Sequence, residues 1–332
     1  MAQSLEGTLI DPFNGQKDIE TQTLRHTSEA FKEDPIRVLR LARLRARFGP
    51  HWKVHASTKL LIDTMHDQLK SLQPDRVYAE VFKVMSSPNS YLFFETLDEL
   101  NVLEFIFPNI HDLKSYREGS VWHKEPNVFE HTIAMLKLAD HEPAIVKFMI
   151  LYHDIAKPSC RRLYGNGAGH DSATLAEPLI DIKLPSKTLK YVLFHIETHQ
   201  RIFKVFEDLT TSKIVKLINS FKKDAILLDY VLRVSNYDKL GSLRLKTNPD
   251  RDFTWFIAAF HECNSYSPAQ WIRLNSITNP EHIQQHIHNK KRAIVNHHKG
   301  KANVSKSTNF WTLKFWKDKT YGNIRKLFSY FS

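Results

Sequence analysis

Cysteine is almost absent from this chain: Cys160 and Cys263 are the only two, and they show no CxxC spacing. That excludes a disulfide framework and a cysteine zinc site, and it points to a reducing compartment, taken here as the cytoplasm. Also missing is any apolar run near the roughly 20 residues that a bilayer-spanning helix needs, and the N-terminus has no signal-peptide core, so no membrane partner is expected. Carboxylates are in short supply, 36 Asp and Glu against 47 Lys and Arg, which leaves a net charge of +11. Such a surplus favours an anionic polymer as partner, with plain solubility as the bland alternative. What the chain does have is apolar mass: 332 residues at 42% hydrophobic content can bury a sizeable core in two or three domains.

The spacing of that apolar mass is helical almost throughout. Ile36, Leu39, Ala42, Leu44, Ala46 and Phe48 form one stripe, and Arg37, Arg40, Arg43, Arg45 and Arg47 fill the positions between. The arginines read either as a solvated face or as a track for phosphates, onto which each guanidinium can fork. Further helices are expected over residues 57–69, 74–85, 89–97 and 103–107, with a connection from Pro108 to Glu125. Others are expected over 133–139, 145–152, 255–260 and 282–296.

Asp34 and Arg37 stand three residues apart at a helix start, so a carboxylate acceptor and a forked donor can both address the edge of a flat heterocycle. The plain reading makes Asp34 an N-cap and Pro35 the first helical residue. The wider run resolves into Asp11-Pro12-Phe13-Asn14-Gly15-Gln16-Lys17-Asp18-Ile19, then Leu24-Arg25-His26, then Phe31 to Arg40, Ala42-Arg43 and Ala46-Arg47-Phe48, and later Arg76 to Lys83. This run resembles the class II tRNA nucleotidyltransferases, meaning bacterial CCA-adding enzymes with a C-terminal HD domain and poly(A) polymerases, over roughly residues 8 to 302. The resemblance implies binding of tRNA, CTP and ATP. It implies that Asp34, Arg37 and Arg40 meet the nucleotide base and phosphate, while Arg43 and Arg47 meet RNA or nucleotide phosphate. The Gly-Gly-x-Val-Arg-Asp loop and Asp-x-Asp pair that the family places before this run, and that hold magnesium for nucleotidyl transfer, are absent from residues 1 to 10. The chain is therefore identified as an N-terminally truncated member, and CCA addition by it alone is not expected.

The second constellation is His131, His153-Asp154 and Asp238, spread over about a hundred residues, with Lys157 four places after the doublet's histidine. Imidazoles and carboxylates suit a divalent metal, and an adjacent His-Asp pair can serve one ion or two. The ordered set resembles the HD phosphohydrolases, and it implies His153, Asp154 and Lys157 as catalytic residues with His131, His153, Asp154 and Asp238 as ligands. His170 and His199 are candidates to join them, and His195 is a weaker one. The donor set favours Ni, Mg, Mn or Co over a structural zinc. Where related enzymes show His-Asp-x-Gly-Lys, residue 156 is alanine, a change of one methyl group. Lys157 either faces a phosphate or, as a helix-ending lysine, complements the dipole. The activities implied are 2′,3′-cyclic phosphodiesterase, 2′-nucleotidase and phosphatase.

The expected fold is mainly α. It comprises a head remnant over residues 1–27, a neck and body over 28–112, an all-α HD domain over 113–245 and a helical tRNA-binding tail over 246–302. Residues 303–332, a mix of aromatic and basic side chains, stay unassigned. Two alternatives remain open: one half of a split enzyme whose head is a separate chain, and a non-catalytic tRNA-binding remnant. The sequence leaves monomer and dimer both open.

Overall fold

A computed structural model describes residues 9–117, 126–206, 209–242 and 252–308, together with 2, 3 and 7. It is mainly α. Among the described residues the strands are four two-residue pieces. Ala2–Gln3 pairs antiparallel with Leu9–Ile10, and Thr23–Leu24 pairs in parallel with Lys53–Val54.

The Asp-Pro-Phe-Asn-Gly run builds the first helix start. Asn14 takes a left-handed conformation at φ 56°, and the Asp11 carboxylate accepts from the amides of Gly15 (2.8 Å) and Gln16 (2.9 Å) just inside helix Gly15–Glu20. Those two amides, Gln16 first, hold the Asp11 carboxyl below its ordinary pKa. Asp18 on this helix then pairs with Arg25 at 3.0 Å.

Helix Ile36–Phe48 follows and stops at Gly49, whose φ of 99° disfavours any side chain. It packs on Pro74–Met85 and Tyr91–Glu99. Its buried face is Ile36, Val38, Leu39, Leu41, Ala42 and Ala46, so the stripe is rotated from the expected one: Leu44 is half-buried and Phe48 is exposed, stacked on Trp52 at 4.7 Å. Pro74 opens its helix at the position where its missing N–H costs nothing. The span 57–69 breaks into Ala56–Asp63 and His66–Leu69, with Thr64 and a fully buried Met65 between them. Pro108, expected in a connection, opens the short helix Pro108–Asp112. Phe93, Phe94 and Phe107 form a buried triad at centroid distances of 5.2 to 6.4 Å, each ring contributing about 2–3 kcal/mol by burial.

Five further helices carry or flank the candidate site residues: Val128–Leu138, Ala144–Tyr152, Lys157–Tyr164, Ser186–Lys204 and Ala225–Gly241. Asn127 caps the first by accepting from the Glu130 amide at 2.9 Å. Ala144–Tyr152 lies against Val128–Leu138, Ser186–Lys204 and Ala225–Gly241. Lys147 on it is 1% exposed and donates to the Ser87 carbonyl at 2.8 Å, and burial lowers its pKa.

The described residues cluster into two compact units, one drawn from Met1–Lys204 and Ala225–Asp250, the other from Val205–Asp224 and Arg251–Ser332. In the second, Thr211–Ser220 and Thr254–Ser265 both pack on the helix Pro280–Thr308. Phe221 meets Phe260 edge-on at 6.0 Å, and the Lys291 ammonium donates to Asn219 at 2.7 Å. Of the unassigned span 303–332, residues 309–332 lie outside the described residues.

Candidate metal centre

His131 sits in the first turn of Val128–Leu138, His153 and Asp154 follow the last turn of Ala144–Tyr152, His199 lies late in Ser186–Lys204, and Asp238 lies in the last turn of Ala225–Gly241. His170 comes from the Gly-rich turn after Lys157–Tyr164, which ends at Gly165 with a φ of 75°. These elements converge. One ligand atom each from His131, His153 and Asp238 lie within 4.8 Å of one another, and so do one each from Asp154, His170 and His199. The adjacent His153 and Asp154 give one residue to each set.

The ring orientations follow from backbone carbonyls. Nδ1 of His153 lies 2.8 Å from the Ile150 carbonyl, Nδ1 of His199 2.7 Å from that of Ile196, and Nδ1 of His170 2.6 Å from that of Gly167. A carbonyl cannot donate, so each Nδ1 carries a proton and each ring turns its Nε2 into the centre. Nε2 of His153 lies 3.0 Å from Asp154 Oδ2, while those of His170 and His199 lie 3.5 and 3.8 Å from Asp154 Oδ1. The two Nε2 atoms of His170 and His199 are 3.3 Å apart, and the Gln200 amide lies 3.1 Å from the former. Lone pairs and a carboxylate facing each other at these distances repel unless a cation or a proton lies between them.

Burial pushes the His199 pKa down to about 4, so at neutral pH its ring carries only the Nδ1 proton. Burial also pulls His153 down but is outweighed by Asp154, so His153 is raised overall. Asp154 and Asp238 are both held well below the usual carboxylate range: burial works against ionisation and is outweighed by His153 at Asp154 and by His131 at Asp238. His131 Nε2 lies 3.1 Å from Asp238 Oδ1. Asp154 Oδ1 is buried with no hydrogen-bond partner. A largely buried donor set of imidazole nitrogens and carboxylate oxygens fits one or two divalent ions.

Lys157 opens its helix rather than ending one, so the dipole explanation does not apply to it. Its ammonium reaches Asp154 Oδ2 at 2.8 Å, and burial lowers its pKa to about 8, with Asp238 opposing. Gly241 allows the close helix contact behind His131: a Cβ there would fall 2.7 Å from Met135 Cγ and 3.5 Å from His131 Cε1. His195 is fully buried near this centre, its ring 5.8 Å from that of His199, and burial depresses its pKa far below the ordinary value. It joins neither ligand set.

The nucleotide-facing candidates are placed differently. Asp34 precedes the helix and pairs with Arg76 at 2.8 Å, which is the first cause of its lowered pKa. Arg37 donates to the Ala30 carbonyl. Glu80, 6% exposed in its side chain, draws Arg43 to 2.7 Å, Lys83 to 3.2 Å and Arg40 to 3.7 Å. Arg45 leaves the expected face altogether: it is buried, donating to Trp52 O, Thr96 Oγ1 and both oxygens of Glu99. Arg47 is exposed and in no ion pair among the described residues.

Residues 52–114 match the family model described as the probable RNA and SrmB-binding site of polymerase A. Among solved structures, a CCA-adding enzyme in complex with CTP is 13% identical, aligned over 91% of this chain and 67% of that one at a TM-score of 0.55. The Thermotoga maritima CCA-adding enzyme complexed with tRNA_CCA is 13% identical over 90% and 68%, also at 0.55. An apo form of a CCA-adding enzyme is 12% identical over 90% and 66%, at 0.56. At such identities the likeness is one of fold, and the chain spans about two thirds of the length of these proteins.

Proposed function

We propose that this chain, whose fold and 52–114 segment are those of the CCA-adding enzymes and poly(A) polymerases, is a metal-dependent phosphohydrolase of the HD type that acts on tRNA 3′ ends. The observation that carries the reading is the pair of three-residue sets joined at His153-Asp154, with Nε2 of His153, His170 and His199 turned onto the Asp154 carboxylate. His131, His153 and Asp238 would hold one divalent ion, and Asp154, His170 and His199 a second. Bound there, such ions supply charge that polarises an attacking water and screens the phosphate oxygens. The chain's own part is orientation. The carbonyls of Ile150, Gly167 and Ile196 fix which nitrogen faces the centre, and burial keeps bulk water from competing. Lys157, held by Asp154 at the same rim, contributes a further positive charge for a phosphate oxygen.

The substrates that suit this reading are a 2′,3′-cyclic phosphate, a 2′-nucleotide and a terminal phosphomonoester. Asp34, Arg37 and Arg40 would meet the base and phosphate of CTP or ATP, and Arg43 and Arg47 RNA phosphates. Residues 28–112 would serve as neck and body and 246–302 as a tRNA-binding tail. Alone with tRNA, CTP, ATP and magnesium, the 332 residues are expected to add no nucleotide; extension of the 3′ end would show a metal site elsewhere. The direct test is hydrolysis of a 2′,3′-cyclic nucleotide with Ni, Mn, Mg or Co supplied, paired with metal content of the purified chain. Chelator and Asp154→Ala are each expected to abolish hydrolysis, and Asp154→Ala to lower bound metal. Undiminished hydrolysis in Asp154→Ala would remove this centre from the reaction.

A further inference from the structure

Arg161 and Arg162 are neighbours on helix Lys157–Tyr164, both exposed, and they differ in their surroundings. Arg162 is engaged, its guanidinium 2.7 Å from Asp112 and 3.0 Å from Ser159 Oγ. Arg161 has no carboxylate partner among the described residues; its guanidinium lies 5.5 Å over the ring of Tyr116. Lys157 lies 6.0 Å from the centroid of that same ring while its ammonium reaches Asp154. Residues 157 and 161 are one helical turn apart and share a face, so a line of positive charge runs from the candidate metal centre outward along Tyr116.

Tyr116 is firmly placed. Its carbonyl accepts from the Val128 amide at 3.1 Å, at the start of the helix that carries His131. Its phenol rests against Gly167, where a Cβ would fall 2.5 Å from the hydroxyl oxygen, and the Gly167 carbonyl is the one that orients His170. The ring thus ties Arg161 to the same loop that sets a candidate ligand.

We infer that Tyr116 and Arg161 form a subsite for the phosphodiester one nucleotide before the terminal phosphate, so that the centre prefers an RNA end over a free mononucleotide. A guanidinium without a carboxylate offers a two-pronged donor to phosphate oxygens, and an aromatic face beneath it limits the rotamers lost on binding. One helical turn between Lys157 and Arg161 suits two successive phosphates of a single strand, the terminal one at Lys157 and the next at Arg161. The inference rests on the hydrolase reading for the identity of the terminal group, but its binding test does not depend on turnover.

The test uses the full chain and fluorescence anisotropy of a 5′-labelled trinucleotide ending in a 3′-phosphate, with the 3′-mononucleotide as competitor. Arg161→Gln should weaken trinucleotide binding about tenfold relative to mononucleotide binding, and Tyr116→Leu should produce part of that loss. Arg162→Gln should leave the ratio unchanged. Equal losses in Arg161→Gln and Arg162→Gln, no loss in either, or no trinucleotide binding by the unaltered chain would each overturn the subsite. Trinucleotide binding that depends on Arg161, without metal-dependent hydrolysis of a cyclic phosphate, would leave the subsite standing and remove the hydrolase reading.

Discussion

The His–Asp centre and the arginine-rich helix Ile36–Phe48 belong to the same compact unit, and they handle charge in opposite ways. Around Asp154, the Nε2 atoms of His153, His170 and His199 lie 3.0 to 3.8 Å from the carboxylate, with Lys157 as the nearby cation. Along Ile36–Phe48 the charges are largely satisfied from within. Glu80 takes up Arg43 and approaches Arg40, Glu99 takes up Arg45, and Ala30 takes up Arg37. A buried group of like character is costly to the fold and is kept where something else binds it. A neutralised group can be kept for the fold alone. The contrast sets the expected order of mutational effects.

The largest effect belongs to the centre. Asp154→Asn keeps the shape but halves the acceptor capacity that Asp154 brings to the set it forms with His170 and His199, and loss of hydrolysis by a factor of roughly 10³ or more is expected, with lower metal content by elemental analysis. If the variant keeps its metal and its rate, Asp154, His170 and His199 do not act as a ligand set. On the arginine helix the corresponding loss is of stability. Arg45→Ala strips partners from Thr96, Glu99 and the Trp52 carbonyl, and about 2–4 kcal/mol is expected from denaturant unfolding, whereas Arg47→Ala should stay within about 0.5 kcal/mol. Equal effects would erase the distinction between structural and free arginines on this helix.

A third prediction sharpens the idea that a buried charge without a counter-ion is a cost. Asp181 accepts from the amides of Asn109 and Ile110 and from the Asn109 side chain, yet burial raises its pKa to about 6. Because the folded state binds this proton more tightly than the unfolded state does, stability from this group falls as pH rises from about 4 to about 6. Asp181→Asn removes that dependence, so its stability relative to the unaltered chain should improve across the window, by at most about 3 kcal/mol. A pH-independent difference would mean the three donors keep the carboxylate ionised throughout. The smallest effect is on RNA. Arg47→Gln should reduce the slope of log affinity for tRNA against log salt by about one, while Arg45→Gln should not alter it.

The mainly α fold expected from the Asp-Pro-Phe run, the Phe31 to Arg40 run and the His-Asp doublet is borne out, and residues 52–114 match the family model of the polymerase A RNA-binding site. Helix periodicity was legible where a single apolar stripe dominates, as in Pro74–Met85, whose limits agree with the expected span. It misled at 57–69, where Thr64 and a buried Met65 separate one helix from the next. It also misplaced Lys157 and Arg45. The residue types of the candidate metal centre were legible because imidazole and carboxylate side chains in that order are chemically specific.

By itself the sequence determined which groups are present: a basic, cysteine-poor, helix-forming chain with six histidine and aspartate side chains, spread from residue 131 to 238, suited to divalent metal. Only tertiary structure decided that residues 131, 153, 154, 170, 199 and 238 meet, and that carbonyls three residues earlier turn Nε2 of His153, His170 and His199 inward. It also decided that Glu80 and Glu99 neutralise arginines that spacing alone left as a phosphate track. The physical reason is range. Helical periodicity and capping act over a few residues and can be read from local order. Coulomb interactions and hydrogen bonds between groups 80 or 100 positions apart depend on how helices pack, and one turn of helix rotation is enough to exchange a free arginine for a buried one.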